Sequence, residues 1–409
     1  MKQKIFKAIE ESRALVVELE TELTARRAVS PEAGGEGELE KADFLFNWLR
    51  NAGFSVLERH DAPDPRAKGG VRPNLIATLE GENRDAPRLW IMSHLDVVPP
   101  GDASLWKSDP WTAVCKDGRV IGRGVEDNQH GLCASLAAAN ALLTLGIQPY
   151  RTIKLLFVAD EECGSLYGVD WLLKNRNLFL TSDFALVPDS GSSDGLSIEI
   201  AEKNMLWLRV NTKGVQAHGS TPHLGRNAHL AACDLALALH YGLCEKFNRK
   251  DPLFNPPAST FEITKKEANI PNINTIPAED VFYMDMRILP CYKNREVFAE
   301  IDRIKSRIQE KHGVSIEYSV MQEGESMPTD AKSPFVKALS GRIEGLYGGP
   351  ARIVGIGGGT AAAFLRNAGV DSAVWCRINE TAHQPNEYTV IDDIIGDAKI
   401  MASLMIDEY

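Results

Sequence analysis

Four short apolar runs in this chain each end on a polar segment that carries carboxylates or a histidine. Leu89–Met92 runs into S-H-L-D-V-V-P (Ser93–Pro99), and Ile153–Ala159 runs into D-E-E (Asp160–Glu162). Phe184–Val187 runs into P-D-S-G (Pro188–Gly191), and Ala373–Cys376 into R-I-N-E-T-A-H-Q-P-N-E (Arg377–Glu387). The runs lack clean apolar–polar alternation, which is how strands buried on both faces read. Leu75–Leu79 and Ile353–Ile356 are of the same kind. Helical stretches lie between them, notably Leu132–Leu145 and Thr360–Asn367, so the expectation is an α/β sheet covered by helices. Open sheets of this type bind ligands outside the carboxyl ends of their strands. Four strands would therefore deliver histidine and carboxylates to one rim.

The rest of the chain frames that sheet. Lys2 to Arg27 is expected to be one helix, with Ile5, Ile9, Leu15, Leu19 and Leu23 apolar. A loop follows from Ser30 to Gly37, then a helix from about Glu38 to Ala52 closed by Gly53. Between Asn204 and Val320 the pattern changes. A strand (Leu206–Thr212) and a helix (Asn227–Leu243) are followed by two strands (Ser259–Thr264, Val281–Ile288). A helix (Arg295–His312) and a strand (Val314–Val320) complete it. This β-α-β-β-α-β order is ferredoxin-like. Residues 204–321 are therefore an α+β domain inserted into a discontinuous α/β domain of residues 1–203 and 322–409.

Composition narrows the function. A formal net charge of −11 over 409 residues speaks against nucleic acid or an anionic membrane as the main partner. The N-terminus has charge but no apolar run after it, and no stretch has the length of a membrane span. Seven cysteines are scattered without a C-x-x-C pair, which fits a reducing, cytoplasmic compartment and excludes a cysteine metal site. No G-x-S-x-G elbow supports a serine nucleophile.

The strand ends supply the chemistry. His94 and Asp96 form H-x-D, in which Asp96 can take the second N–H of a ligating His94. Asp127 lies in G-R-G-V-E-D-N-Q-H-G (Gly122–Gly131), ahead of a helix, where its two oxygens could bind one ion each. Glu161 and Glu162 point to opposite sides of a strand-like backbone, so one can face a metal and the other a water. Asp189 and His383 gain weight from this company, while His130 is taken as a loop histidine. In A-H-G-S-T-P-H-L-G-R-N-A (Ala217–Ala228), Asn227 suits a helix start. G-I-G-G-G-T (Gly355–Thr360) could cradle an anion through backbone N–H groups but lacks a P-loop lysine.

As an ordered set these motifs resemble the M20 family of zinc amidohydrolases, over nearly the whole chain. That family includes acetylornithine deacetylase, succinyl-diaminopimelate desuccinylase, aminoacylases and glutamate carboxypeptidases. The resemblance implies a di-zinc exopeptidase-like catalytic domain with an inserted ferredoxin-like lid and dimerisation domain. It implies two zinc ions per subunit, with cobalt or manganese able to substitute. His94, Asp127 and Asp189 would hold one, and Asp127, Glu162 and His383 the other. It also implies a cis peptide bond after Asp127, Glu161 as general base and Asp96 behind His94. His218 would reach across a homodimer to the partner's substrate. Asn274, Arg287, Gly357, Gly358, Gly359 and Thr360 would hold a substrate carboxylate. Ala361 and Cys163 depart from the acidic residue and the threonine common in relatives.

The function expected is metal-dependent hydrolysis of the amide bond of an N-acyl amino acid. An M20 dipeptidase or carboxypeptidase acting on small peptides is the alternative within enzymes. A non-hydrolytic metal-containing binding protein is the alternative outside them; retention of Glu161 beside a full ligand set argues against it.

Overall fold

The computed structural model describes residues 1–409. Apolar side chains on both faces drive the central strands inside: every residue of Leu89–His94 and of Phe184–Val187 is buried. They belong to a mixed eight-stranded sheet. Its order is Val56–Pro63, Val71–Leu79, Ile153–Val158, Leu89–His94, Phe184–Val187, Asp371–Val374, Ser197–Glu202, Arg352–Ile356. The Gln129–Leu145 helix is apolar almost all round and buried along most of its length, as a helix packed between other layers must be. It packs against the C-terminal Ile391–Ile406 helix, itself largely buried.

The chain divides into two compact units. One is Met1–Ile200 with Thr329–Val354 and Thr360–Tyr409; the other is Ala201–Pro328 with Gly355–Gly359. The joints expected from the sequence lie at 203/204 and 321/322, with 355–359 in the first unit. Within the second unit a four-stranded antiparallel sheet has the order Thr260–Lys266, Glu279–Ile288, Asn204–Lys213, Ser315–Gly324. Asn204–Lys213 alternates buried and half-buried residues. Its Leu206, Leu208 and Val210 form one core with Leu235, Leu239 and Leu243 and with Ile301, Ile304 and Ile308. These last two sets come from the Ala228–Lys246 and Asn294–His312 helices. Asn227 caps the first of them by accepting the Leu230 N–H at 3.0 Å.

Some elements differ from the sequence expectation. The helix expected over Lys2–Arg27 is two helices, Lys2–Glu11 and Arg13–Ala25. The Ser12 hydroxyl donates to the Ile9 carbonyl at 2.7 Å, a local bond that competes with the helix ladder. Val56–Pro63 is a strand that its sequence does not predict, because V-L-E-R-H-D-A-P has too few apolar residues. It lies at the sheet margin and pairs only with Val71–Leu79. No helix is long and apolar enough to cross a membrane.

Candidate metal centre

Strand direction brings the candidate residues together. Leu89–His94 pairs in parallel with Ile153–Val158 and with Phe184–Val187, and Asp371–Val374 pairs in parallel with Phe184–Val187. All four carboxyl ends therefore lie on one edge. His94 ends the first strand, and Glu161 and Glu162 open a single helical turn after the second. Asp189 follows the third strand, and His383 sits in the loop after the fourth.

Asp127, just ahead of the Gln129–Leu145 helix, stands at the centre. Its Oδ1 is 2.9 Å from His94 Nε2, and its Oδ2 is 3.1 Å from His383 Nε2. Asp189 Oδ1 lies 3.3 Å from the same His94 nitrogen, and Glu162 Oε1 lies 3.1 Å from His383 Nε2. Ligand atoms of His94, Asp127 and Glu162 all lie within 4.8 Å of one another, as do those of His94, Glu161 and Asp189. The bond between Asp127 and Asn128 is cis.

Three buried acids hold the backbone of this centre. Asp96 accepts the N–H groups of Glu161 (3.0 Å) and Glu162 (3.1 Å). Its carboxylate is 3.5 Å from His94 Nδ1, which lies nearer, at 2.9 Å, to the Asp96 carbonyl. The carboxylate expected behind His94 thus chiefly clamps the glutamate turn, while the main chain meets the imidazole. Glu387 accepts the N–H groups of Gly124 (3.0 Å), Glu126 (2.9 Å) and Asp127 (3.1 Å), and pairs with Arg123 at 2.6 Å. Glu126 accepts Asn379 N–H at 2.5 Å and the Thr381 hydroxyl at 2.8 Å, tying in the His383 loop. Asn128 donates to Asp189 Oδ1 at 2.8 Å and to the Pro188 carbonyl at 2.7 Å. A side chain at Gly131 would put its Cβ 2.2 Å from that carbonyl, so only glycine lets the helix approach so closely.

The electrostatics ask for added positive charge. The ion pairs of Asp127, Asp189 and Glu162 are with His94 and His383, not with lysine or arginine. Burial disfavours a charged His94, yet hydrogen bonds to Asp127, Asp189 and Asp96 hold it well above the usual imidazole range. His383 is pushed up to about 10 by its hydrogen bonds with Asp127 and Glu162. Burial would raise Asp127, but the two histidines hold it well below the usual carboxylate range. Burial pushes Glu161 well up, with Asp189 and Glu162 adding to the rise. Burial also raises Glu162, against its hydrogen bond with His383. Half-buried carboxylates crowded around a buried His94 and an exposed His383 are the donor set of a first-row divalent ion, and these residues fit one.

The remaining candidates fall elsewhere. His218 is exposed in the second unit, on the Ala217–His218 strand paired with Thr275–Ile276. Its Nδ1 is 2.7 Å from the Ser220 hydroxyl. Asn274 is beside it, its carbonyl accepting the Gly219 N–H at 2.7 Å. Arg287 donates to the Gly357 carbonyl at 3.0 Å and is paired with Asp285 at 2.7 Å. Gly358 and Gly359 continue that loop, while Thr360 in the first unit accepts the Ala362 N–H at 3.2 Å. His130 is not a loop histidine: it is buried in the first turn of the Gln129–Leu145 helix. Glu126 and Glu387 carry no sequence signal of a role, because their partners are mostly backbone groups.

A parallel-stranded rim bearing histidines and carboxylates in this geometry is a candidate metal centre of an α/β protein. The chain belongs to peptidase family M20/M25/M40, whose sequence model matches residues 90–407. It is 38% identical over 410 residues to an uncharacterized metallohydrolase of Methanococcus maripaludis, covering 95% of this chain and 98% of that one. It is 29% identical over 392 residues to a succinyl-diaminopimelate desuccinylase of Ehrlichia canis, covering 92% and 94%. A tripeptidase structure from Staphylococcus aureus shares the fold, with a TM-score of 0.75 at 18% identity over 96% of this chain and 97% of that one.

Proposed function

We propose that this metallohydrolase cleaves the amide bond of an N-acyl amino acid, of the deacetylase or desuccinylase kind, with two zinc ions in the centre described above. The observation that carries this is Asp127, whose two oxygens each face a different histidine. His94, Asp127 and Asp189 would hold one ion, and Asp127, Glu162 and His383 the other. Bound there, the ions would polarise the amide carbonyl and lower the pKa of a water from about 16 to about 7. Glu161 takes a proton from the attacking water and passes it to the leaving amine. Its half-buried carboxyl sits beside the ligand group His94–Asp189, within reach of an attacking water in this reading. Similarity to the Ehrlichia desuccinylase supports the substrate class.

The inserted unit is the lid and dimerisation domain in this reading. His218 stabilises the oxyanion on the substrate of the partner subunit. Arg287, Asn274 and the Gly357–Thr360 loop receive the substrate carboxylate. A homodimer is supported by exposed Leu230, Leu237 and Tyr241 on one face of the Ala228–Lys246 helix. The sheet edge Ser315–Gly324, with exposed Val320 and Met321, supports it as well. Seven free cysteines support a cytoplasmic location.

The test is amine release from a panel of N-succinyl-diaminopimelate, N-acetylornithine, other N-acyl amino acids and dipeptides, before and after chelation and zinc restoration. Zinc-restorable cleavage of the acyl amino acids is expected. Cleavage of dipeptides alone would move the assignment to a dipeptidase.

A further inference from the structure

We infer that His130 is a positioning residue: it anchors both ends of the loop that carries His383 and thereby sets the affinity of the ion position to which His383 belongs. The inference rests on the two-ion reading above.

His130 lies three residues beyond Asp127 and is 1% exposed. Its Nδ1 is 2.8 Å from the Thr389 hydroxyl and its Nε2 is 2.9 Å from Asp397 Oδ2. The same Asp397 oxygen accepts the backbone N–H of Arg377 at 2.7 Å, while Oδ1 accepts the Tyr347 hydroxyl at 2.8 Å. Arg377 begins the loop and Thr389 follows its end. One imidazole thus joins the helix next to the bridging Asp127 with both roots of the His383 loop. Donation from Nε2 to Asp397 and acceptance at Nδ1 from the Thr389 hydroxyl would satisfy the set.

The loop between those roots needs anchoring. Glu380, His383 and Asn386 all have positive φ, at 59°, 62° and 62°. Non-glycine residues persist in that region only where surrounding bonds over-determine the backbone. Glu126 supplies such bonds at Asn379 and Thr381, and Asn386 bonds to Lys107 N–H (2.8 Å) and the Leu105 carbonyl (2.9 Å). His130 and Asp397 supply those at the roots. With a root released, the loop can relax toward ordinary φ values. That withdraws His383 from Asp127 and Glu162 and leaves His94 and Asp189, which sit on the strand ends, in place.

The experiment is zinc binding to the full-length protein by equilibrium dialysis with the ions counted, together with amide hydrogen exchange over residues 377–389. His130→Gln keeps a donor toward Asp397 but loses the Thr389 bond. Thr389→Val removes that bond without touching the histidine, and serves if the first variant folds poorly. Wild type is expected to take up two ions. Each variant should bind one of them within twofold of wild type and the other about 10- to 100-fold more weakly, the range for groups behind a ligand. Exchange over 377–389 should rise. Two unchanged steps in both variants, or two steps weakened equally, would overturn this inference alone. A wild type that binds fewer than two ions overturns the two-ion reading and the inference with it.

Discussion

Asp96 accepts the backbone N–H of Glu161 at 3.0 Å, so the proposed base is aimed by a carboxylate two residues beyond the proposed ligand His94. The other oxygen of Asp96 accepts Glu162 N–H at 3.1 Å. Base and ligand therefore share one clamp. Asp96→Asn keeps an acceptor for one N–H and turns an amide donor toward the other. Zinc affinity should fall about 10- to 100-fold, with kcat reduced as well. Dialysis against zinc and steady-state kinetics on a variant with wild-type circular dichroism check this.

Glu161 differs from its neighbour in what its loss should do. Glu162 faces His383 at 3.1 Å and is a proposed ligand. With Glu161 as the proposed base, Glu161→Gln should lower kcat roughly 10²- to 10⁴-fold, the usual contribution of general acid–base catalysis. It should retain two zinc ions per subunit. Near-normal turnover with both ions bound would remove Glu161 from the mechanism.

Gly131 tests how tightly the Asp127 helix is seated. The added methyl of Gly131→Ala would lie 2.2 Å from the Pro188 carbonyl, closer than any real contact. Helix or turn must shift, and both Asn128 bonds to the Pro188–Asp189 turn go with it. Overpacking of this kind costs about 1–3 kcal/mol. The expected result is a lower Tm together with weaker zinc binding; unchanged zinc binding would show that the turn yields freely.

What was legible in the sequence follows from where the signals sit. His94, Glu161, Glu162 and Asp189 stand at the ends of buried strands, so an apolar run followed by polar residues points at each of them. The parallel pairing of those strands then does the rest. Glu387 and Glu126 left no such mark. Glu387 bonds the Asp127 N–H across 260 residues of sequence, and Glu126 bonds Asn379 N–H across 253. Carboxylates satisfied by distant main chain look like any acidic loop residue. His130 is similar: its neighbours Gln129 and Gly131 suggest a loop, and its partners Thr389 and Asp397 are far along the chain. Ser12 was readable in principle, since a serine inside a helical pattern offers its hydroxyl to a preceding carbonyl.

The Ala228–Lys246 helix offers a test of assembly. Leu230, Leu237 and Tyr241 repeat at helical spacing, and Tyr241 is 67% exposed. A charge placed in a dry interface is costly, whereas on a free surface it is nearly neutral. Leu237→Glu should therefore convert a dimer to a monomer in sedimentation velocity without lowering Tm by more than a few degrees. If His218 serves the partner subunit, that monomer should also lose activity. A fully active monomer would sink the cross-subunit role.

Metal binding should depend steeply on pH, and the sign follows from His383. Its pKa is raised to about 10 by Asp127 and Glu162, so among the protein groups alone it carries a proton at pH 7. Burial works against charge on His94, yet its hydrogen bonds to Asp127, Asp189 and Asp96 hold it well above its usual range. An ion can bind only to the deprotonated imidazoles, so binding must release those protons. Lowering the pH adds to what the metal must displace, and raising it toward 10 removes that competition. Apparent zinc affinity should therefore climb from pH 6 to pH 9. Calorimetry in buffers of different ionisation enthalpy should show net proton release at pH 7. Removing His383 as His383→Ala should reduce that release and the slope with pH. Affinity that stays flat across this range would mean that neither histidine gives up a proton to the ion, and the ligand set would have to be redrawn around the carboxylates.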